Sequence, residues 1–379
     1  MKLDSQRHLF DIPDDITYLN CGYMSPLMHA VRDAGVVGLT RKCHPWMISP
    51  RDFYTGSDAL RDAFASLVHA EPEDIAIEPS ASYGMSTAAK NLPLSKGQSV
   101  IVVEDQFPSH VYPWRERAKE VGAEVRTLKR PMDDDWNETV LAAIDSTTAV
   151  LAIPQCHWTD GGLFDLERLS SVCREKGIGL ALDVTQSAGA YPIDVRTIKP
   201  DFMTAATYKW LMGPYSLGLL YVSKRWQEEG RPIEHNWIHR KNSENFARLV
   251  DYEDEYESGA VRFDVGERSN FALVPAAEAG IRQILEWGVE NVAETLSGLT
   301  ETIAERARAL GLDSVPADKR ASHYLGLKMD GGLPADLLAK LAARRVYVSV
   351  RGASIRVTPN VFNDARDADR LLAALEEVL

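Results

Sequence analysis

From residue 75 onward the sequence alternates short, β-branched apolar runs with stretches of helical length, and this alternation restricts the fold more than any other feature. Seven runs stand out: Ile75–Ile77, Ser99–Val103, Ala123–Leu128, Ala149–Pro154, Gly179–Asp183, Phe202–Thr207 and Gly218–Val222. Connectors such as Gly84–Asn91, Pro113–Val121, Asn137–Ile144 and Leu166–Lys176 separate the first six. Parallel strands need crossovers of roughly a dozen residues, and strands covered on both faces read as nearly continuous apolar sequence. Both conditions are met. Only about ten residues, containing Gly213-Pro214, join the last two runs, too few for a helical crossover, so an antiparallel strand is expected there. The expectation is an α/β fold with a mixed, mostly parallel seven-stranded sheet and helices on both faces.

The flanking segments read more simply. A polar arm, 1–16, leads into the extended stretch Thr17–Tyr23, and the spacing then predicts amphipathic helices over Pro26–Arg41 and Asp58–Val68. Residues 225–270 are loop-rich, with Trp226, Trp237, Tyr252 and Tyr256 around the acidic run Asp251–Glu257, a pattern usually found on a solvated face. Helices predicted over Pro275–Leu285 and Val289–Leu310 open a second unit. Strands at 321–329, 346–350 and 354–358 and helices at 334–344 and 364–378 complete it. The resulting division is an arm, 1–16, a large unit, 17–274, and a small α/β unit, 275–379.

Composition narrows the function classes. Fifty-five acidic against 42 basic residues give a net charge of −13, which offers no basic footprint for nucleic acid or for an anionic membrane surface. The first residues lack the apolar core of a signal peptide, and no stretch approaches the roughly 20 apolar residues of a membrane helix. Cys21, Cys43, Cys156 and Cys173 are widely spaced and read as reduced thiols, so a cytoplasmic protein is expected. His235 and His239 stand four apart, but no third ligand accompanies them and no metal is expected.

In sheets of this type ligands bind beyond the carboxyl ends of the strands. Ser80-Ala81-Ser82-Tyr83-Gly84, Asp105-Gln106-Phe107, Gln155, Asp183 and Lys209 all fall at such ends. Taken singly, Asp183 reads as a helix-capping carboxylate and Lys209 as a surface amine. Together they place an acid and an amine in one crevice, the combination a pyridine-aldehyde cofactor needs. The acid keeps the ring nitrogen protonated, so that the ring draws electrons, while the lysine forms the internal aldimine and later moves protons. That cofactor is pyridoxal 5′-phosphate.

Asp183-x-x-Gln186, followed by Ala206-Thr207-Tyr208-Lys209-Trp210-Leu211-Met212-Gly213-Pro214, resembles the class V aminotransferase family of pyridoxal-phosphate enzymes of fold type I. The likeness covers nearly the whole chain and is greatest to kynureninase-like and isopenicillin N epimerase-like members. It implies that Asp183 pairs with the pyridine nitrogen, Gln186 touches the phenolic oxygen and Lys209 carries the aldimine. By the same resemblance Ala81 and Ser82 cradle the phosphate, Tyr208 donates to it, and Phe107 lies over the ring. Gln155 is expected near the cofactor oxygen and Trp158 in the substrate pocket. The loop Gly266-Glu267-Arg268-Ser269-Asn270 resembles one that crosses a dimer interface to the neighbouring subunit's phosphate, so a homodimer with Ser269 in that role is implied. Arg356, in Ser354-Ile355-Arg356-Val357-Thr358-Pro359-Asn360, matches the arginine that clamps the substrate's α-carboxylate; a guanidinium fork suits a carboxylate as lysine cannot.

These expectations converge on an amino-acid substrate, an external aldimine and Cα deprotonation, with a lyase or kynureninase-like hydrolase outcome favoured by Phe107 and Tyr208. An aminotransferase or an amino-acid epimerase of the same family is the alternative. A cysteine desulfurase or selenocysteine lyase is disfavoured, because no room exists between Gly352 and Arg356 for its cysteine-bearing loop and no cysteine follows Cys173. A non-catalytic binding module would not need Lys209, Asp183 and Arg356 together.

Overall fold

The computed structural model describes residues 1–379. Its strands are β1 (Thr17–Tyr18), β2 (Ile75–Glu78), β3 (Ser99–Val103), β4 (Glu124–Leu128), β5 (Thr148–Pro154), β6 (Gly179–Asp183), β7 (Phe202–Ala206), β8 (Gly218–Val222), β9 (Leu312–Asp313), β10 (Leu325–Met329), β11 (Val346–Tyr347), β12 (Ser349–Arg351) and β13 (Ser354–Val357). Seven of them form one sheet in the order β2-β8-β7-β6-β5-β3-β4. The pairs β3/β4, β3/β5, β5/β6 and β6/β7 are parallel, and β8 is antiparallel to both β7 and β2. The fold is therefore the expected α/β architecture of fold type I. Two reversals at β8 restore direction, so β2 runs the same way as β7. The turn after β2 consequently opens at the same sheet edge as those after β6 and β7.

Alternate residues of the sheet enter two separate cores, as the period of a strand requires. Ile75, Ile101, Leu151, Leu182 and Met203 join one apolar cluster, while Ala76, Val100, Val150, Ala181 and Phe202 join the other. Both faces are covered, which is why these runs are apolar throughout. A four-stranded antiparallel sheet, β12-β13-β10-β9, has its own core with Leu325, Leu327, Ile355 and Val357, closed by helix Ala365–Val378.

Several boundaries move. The first helix begins at His29 and the second at Asp52. The stretch 346–350 divides: β11 pairs with β1 in parallel, and β12 joins the second sheet. Helix Leu273–Trp287, expected to open the small unit, buries Val274, Ala277, Ile281 and Ile284 in the larger core against helices His29–Arg41 and Asp52–Val68. No helix is long and apolar enough to cross a membrane.

Candidate active site

A cleft enclosing ≈ 930 Å³, open mouth included, lies at the carboxyl edge of the large sheet. Ala81, Ser82, Phe107, Trp158, Asp183, Gln186, Tyr208 and Lys209 all line it. Lys209 follows β7 on a tight turn. Thr207 holds that turn shut, its Oγ1 donating to the carbonyls of Pro214 (2.7 Å) and Leu217 (3.0 Å), with Gly213 N returning to Thr207 O at 2.8 Å. The lysine is only 5% exposed, and Nζ sits 5.3 Å from the ring centre of Phe107. Burial lowers its pKa to about 8; Asp183 opposes the shift, and Arg356 and Arg351 add to it. About a fifth of the amine is thus neutral near pH 7.4, against roughly a thousandth for an ordinary lysine.

Asp183 ends β6 and accepts from Thr185 N at 2.9 Å. Gln186 is engaged at both ends, donating to Gly22 O (3.0 Å) and accepting from Trp210 Nε1 (3.0 Å). One N–H of its amide stays free for a ligand. Helix Ala81–Asn91 starts at the cleft, with Ser80 Oγ capping Tyr83 N. Ala81 and Ser82 therefore present N–H groups that have no acceptor within the helix, a setting suited to an anion.

On the opposite side Trp158 packs edge-on to Phe107 at 5.3 Å. Its indole donates to Asp105 O at 2.5 Å, and its carbonyl accepts from Tyr324 Oη and, at 3.2 Å, from Arg356 Nη1. The loop carrying it is anchored by buried Asp160, which pairs with Arg130 (2.7 Å) and Lys328 (3.1 Å). Burial alone would raise the Asp160 pKa, but His157, Arg130 and Lys328 hold it low. Arg356 is almost wholly buried and gives Nε to Ser349 Oγ at 2.9 Å, yet its Nη2 has no partner. A buried charged donor left open is costly unless something else fills it.

One expectation needs correction. Gln155 does not face the cleft: it donates to Pro192 O at 3.0 Å and lines a separate cavity with Phe164 and Tyr191. Its neighbours Pro154 and Cys156 do line the cleft, so strand alternation turns the intervening side chain away. Ser269 lies outside the chain's own cleft, bonding Phe53 O in a groove with Leu39, Trp237 and Phe271. Nor do His235 and His239 share a helix, since only Trp237–His239 forms a 3-10 turn. Sequence reasoning passed over His110, Glu78 and Arg351. His110 lines the cleft fully buried, neither nitrogen bonded, and burial drops its pKa to about 4, so it is neutral.

The aminotransferase class-V family model matches residues 50–362. The chain belongs to the class-V aminotransferase family. Relatives include an uncharacterized aminotransferase, YcbU, of Bacillus subtilis, 26% identical over 81% of this chain and 80% of that protein. A kynureninase of Shouchella clausii is 25% identical over 73% of this chain and 69% of its own. Among solved structures, a variant of the cystine C-S lyase C-DES with glycine covalently linked to its pyridoxal-phosphate cofactor superposes with a TM-score of 0.88. That match spans 99% of this chain and 100% of the other at 18% identity. As a class-V family member the protein is an enzyme whose cofactor is pyridoxal 5′-phosphate. The cleft fits that group: free N–H donors at a helix start, an aromatic face, a buried carboxylate and a partly neutral lysine stand around one space.

Proposed function

We infer that this protein removes the Cα proton of an amino acid and carries the product on as a lyase or a kynureninase-like hydrolase. The observation that carries this reading is the placing of Lys209, buried and with a lowered pKa, in one cleft with Asp183, Phe107 and Trp158, beside an Arg356 whose Nη2 is unbonded. Ala81 and Ser82 N–H groups, with Tyr208, would hold the cofactor's phosphate, Asp183 would pair with its ring nitrogen, and Phe107 would cover its ring. Pyridoxal phosphate, once bound, supplies the electron sink that makes Cα acidic. Arg356 Nη2 orients the α-carboxylate, Lys209 Nζ accepts the Cα proton, and Trp158 keeps water from that side of the cleft. Aminotransferase or epimerase outcomes share these steps and differ in where the proton returns.

A persulfide-forming route lacks its nucleophile. Cys156 is the one thiol that lines the cleft, and burial holds its pKa well above the ordinary value. We place the enzyme in the cytoplasm as a homodimer, with the loop 266–270 supplying Ser269 to the partner's site. The test is a purified protein offered pyridoxal phosphate and a panel of amino acids. Stoichiometric uptake with a new visible absorbance, abolished in Lys209→Ala, and loss of the Cα proton to deuterated water are expected. A protein that takes up no cofactor would sink the reading, and equal absorbance in Lys209→Ala would remove Lys209 from it.

A further inference from the structure

The rim of the cleft formed by the second sheet holds a cation that the proposed reaction does not use. In the β12/β13 ladder Ser349 pairs with Arg356 and Arg351 with Ser354. Residues directly opposite share a face, as do alternate residues of one strand, so Arg351 and Arg356 project from the same face. Both guanidinium groups reach the Trp158 ring, Arg351 at 5.8 Å and Arg356 at 5.6 Å from its centre. Neither is within ion-pair distance of a carboxylate, although 26 ion pairs are formed elsewhere in the chain. Arg351 is half-buried, and its side chain's one hydrogen bond within the chain goes to the neighbouring Val350 carbonyl at 2.8 Å.

With Lys209 these two arginines make three cationic groups around a cleft whose lining carries one carboxylate, Asp183. Tyr23 and Tyr324 are the other titratable groups close to Arg351, and neither is a carboxylate. Like charges gathered in a partly desolvated site are unfavourable until an anion joins them. The α-carboxylate answers Arg356, and the cofactor phosphate belongs at the start of helix Ala81–Asn91 on the other sheet. Arg351 is left over.

We propose that the substrate is a dicarboxylic α-amino acid, its side-chain carboxylate held by Arg351 on the Trp158 rim while Arg356 takes the α-carboxylate. This rests on the amino-acid reading above and names its substrate class. Arg351 is then a specificity residue: it distinguishes an acid from its amide without taking part in proton transfer.

The experiment measures Cα-proton exchange by the holoenzyme in deuterated water with aspartate, asparagine, glutamate, glutamine and alanine. One acid should exceed its own amide by about 10-fold or more in kcat/KM, the scale of one charge-assisted hydrogen-bond pair. In Arg351→Met that ratio should fall to about one, with a melting temperature close to the parent's because the side chain is half-exposed. The choice between aspartate and glutamate reports the span from Arg356 to Arg351. Calorimetric titration with succinate, glutarate and their monoacid counterparts, butanoate and pentanoate, reads the same preference without turnover. A diacid should bind about 10-fold tighter than its monoacid in the parent and equally in Arg351→Met. Equal treatment of acids and amides, or a preference that survives Arg351→Met, overturns the proposal. Absence of exchange with every amino acid, alanine included, while diacids still bind preferentially, would sink the proton-transfer reading and leave the acid-binding rim standing.

Discussion

The two walls of the cleft are built differently. On the large-sheet wall the orienting groups are already engaged: Asp183 by Thr185, Gln186 by Gly22 and Trp210, Gln106 by Val103, His110 and Ala152. On the small-sheet wall Arg356 keeps an unbonded Nη2, and Arg351 has only its neighbour's carbonyl. A wall whose orienting carboxylate and amides are already held by internal hydrogen bonds fixes geometry before any ligand arrives. A wall with open charged donors selects the ligand. On the proposed reading, chemistry resides on the first wall and recognition on the second.

The sharpest way to break that division is to compare one substitution on each wall. Asp183→Asn removes the carboxylate that opposes the lowering of the Lys209 pKa while keeping its shape, and kcat should fall on the order of 10²–10³-fold with KM little changed. Arg356→Lys keeps a charge but loses the planar fork, and KM should rise by roughly 10-fold with most of kcat retained. If the two variants exchange signatures, so that Asp183→Asn acts mainly on KM, the division is wrong.

A smaller effect separates Lys209 from an ordinary lysine. Only the neutral amine bonds to an aldehyde, and burial brings its pKa down to about 8. Below that value the rate at which cofactor-free protein takes up pyridoxal phosphate should climb about tenfold per pH unit, then level off. An unshifted lysine would keep climbing to about pH 10, so rapid-mixing absorbance between about pH 6 and 10 reads the shift directly. Arg351→Met removes one of the cations that lowers it and should move the bend upward.

How much of this was legible in the sequence follows from the same contrast. The large sheet announces itself because both of its faces are buried, and Asp183 and Lys209 fall where its strands stop. The two-residue strand β9 carries no period and left no trace, whereas β1 and β11 fall within the extended stretch Thr17–Tyr23 and the expected strand 346–350. Gln155 was misplaced although its signal was available: it stands one residue past Pro154 in an alternating strand, so it had to face away from the side Pro154 and Cys156 share. Arg351 stood in plain view in Val348-Ser349-Val350-Arg351-Gly352, but its charge is informative only once the Ser349–Arg356 register puts it beside Arg356. The role proposed for Ser269 requires a second copy of the chain, which the sequence of one copy cannot orient.

Glu78 gives the smallest effect and bears on how the large-sheet wall is packed. It ends β2 with no exposure, its Oε1 accepting from Thr204 Oγ1, and it has no ion-pair partner. Burial first, and the charge of Asp183 second, raise its pKa well above the ordinary value, so the group is a neutral acid in the folded protein. The packing around it is close: a Cβ on Gly84 would lie 2.2 Å from Glu78 Oε2, which is why helix Ala81–Asn91 can start so near the sheet. Glu78→Gln preserves both shape and neutrality, and at about pH 5 its stability should match the parent's within about 1 kcal/mol. The sign of the pH effect follows from linkage. The unfolded chain releases this proton above about pH 4.5 while the folded chain retains it, so the parent's stability relative to Glu78→Gln declines as pH rises from about 5 to 8. The slope can reach about 1.4 kcal/mol per pH unit from this one group. Urea melts of both proteins across that range measure the difference. A difference that stays flat means an ionised Glu78, and with it a second anion behind Asp183 that the neutral-acid account excludes.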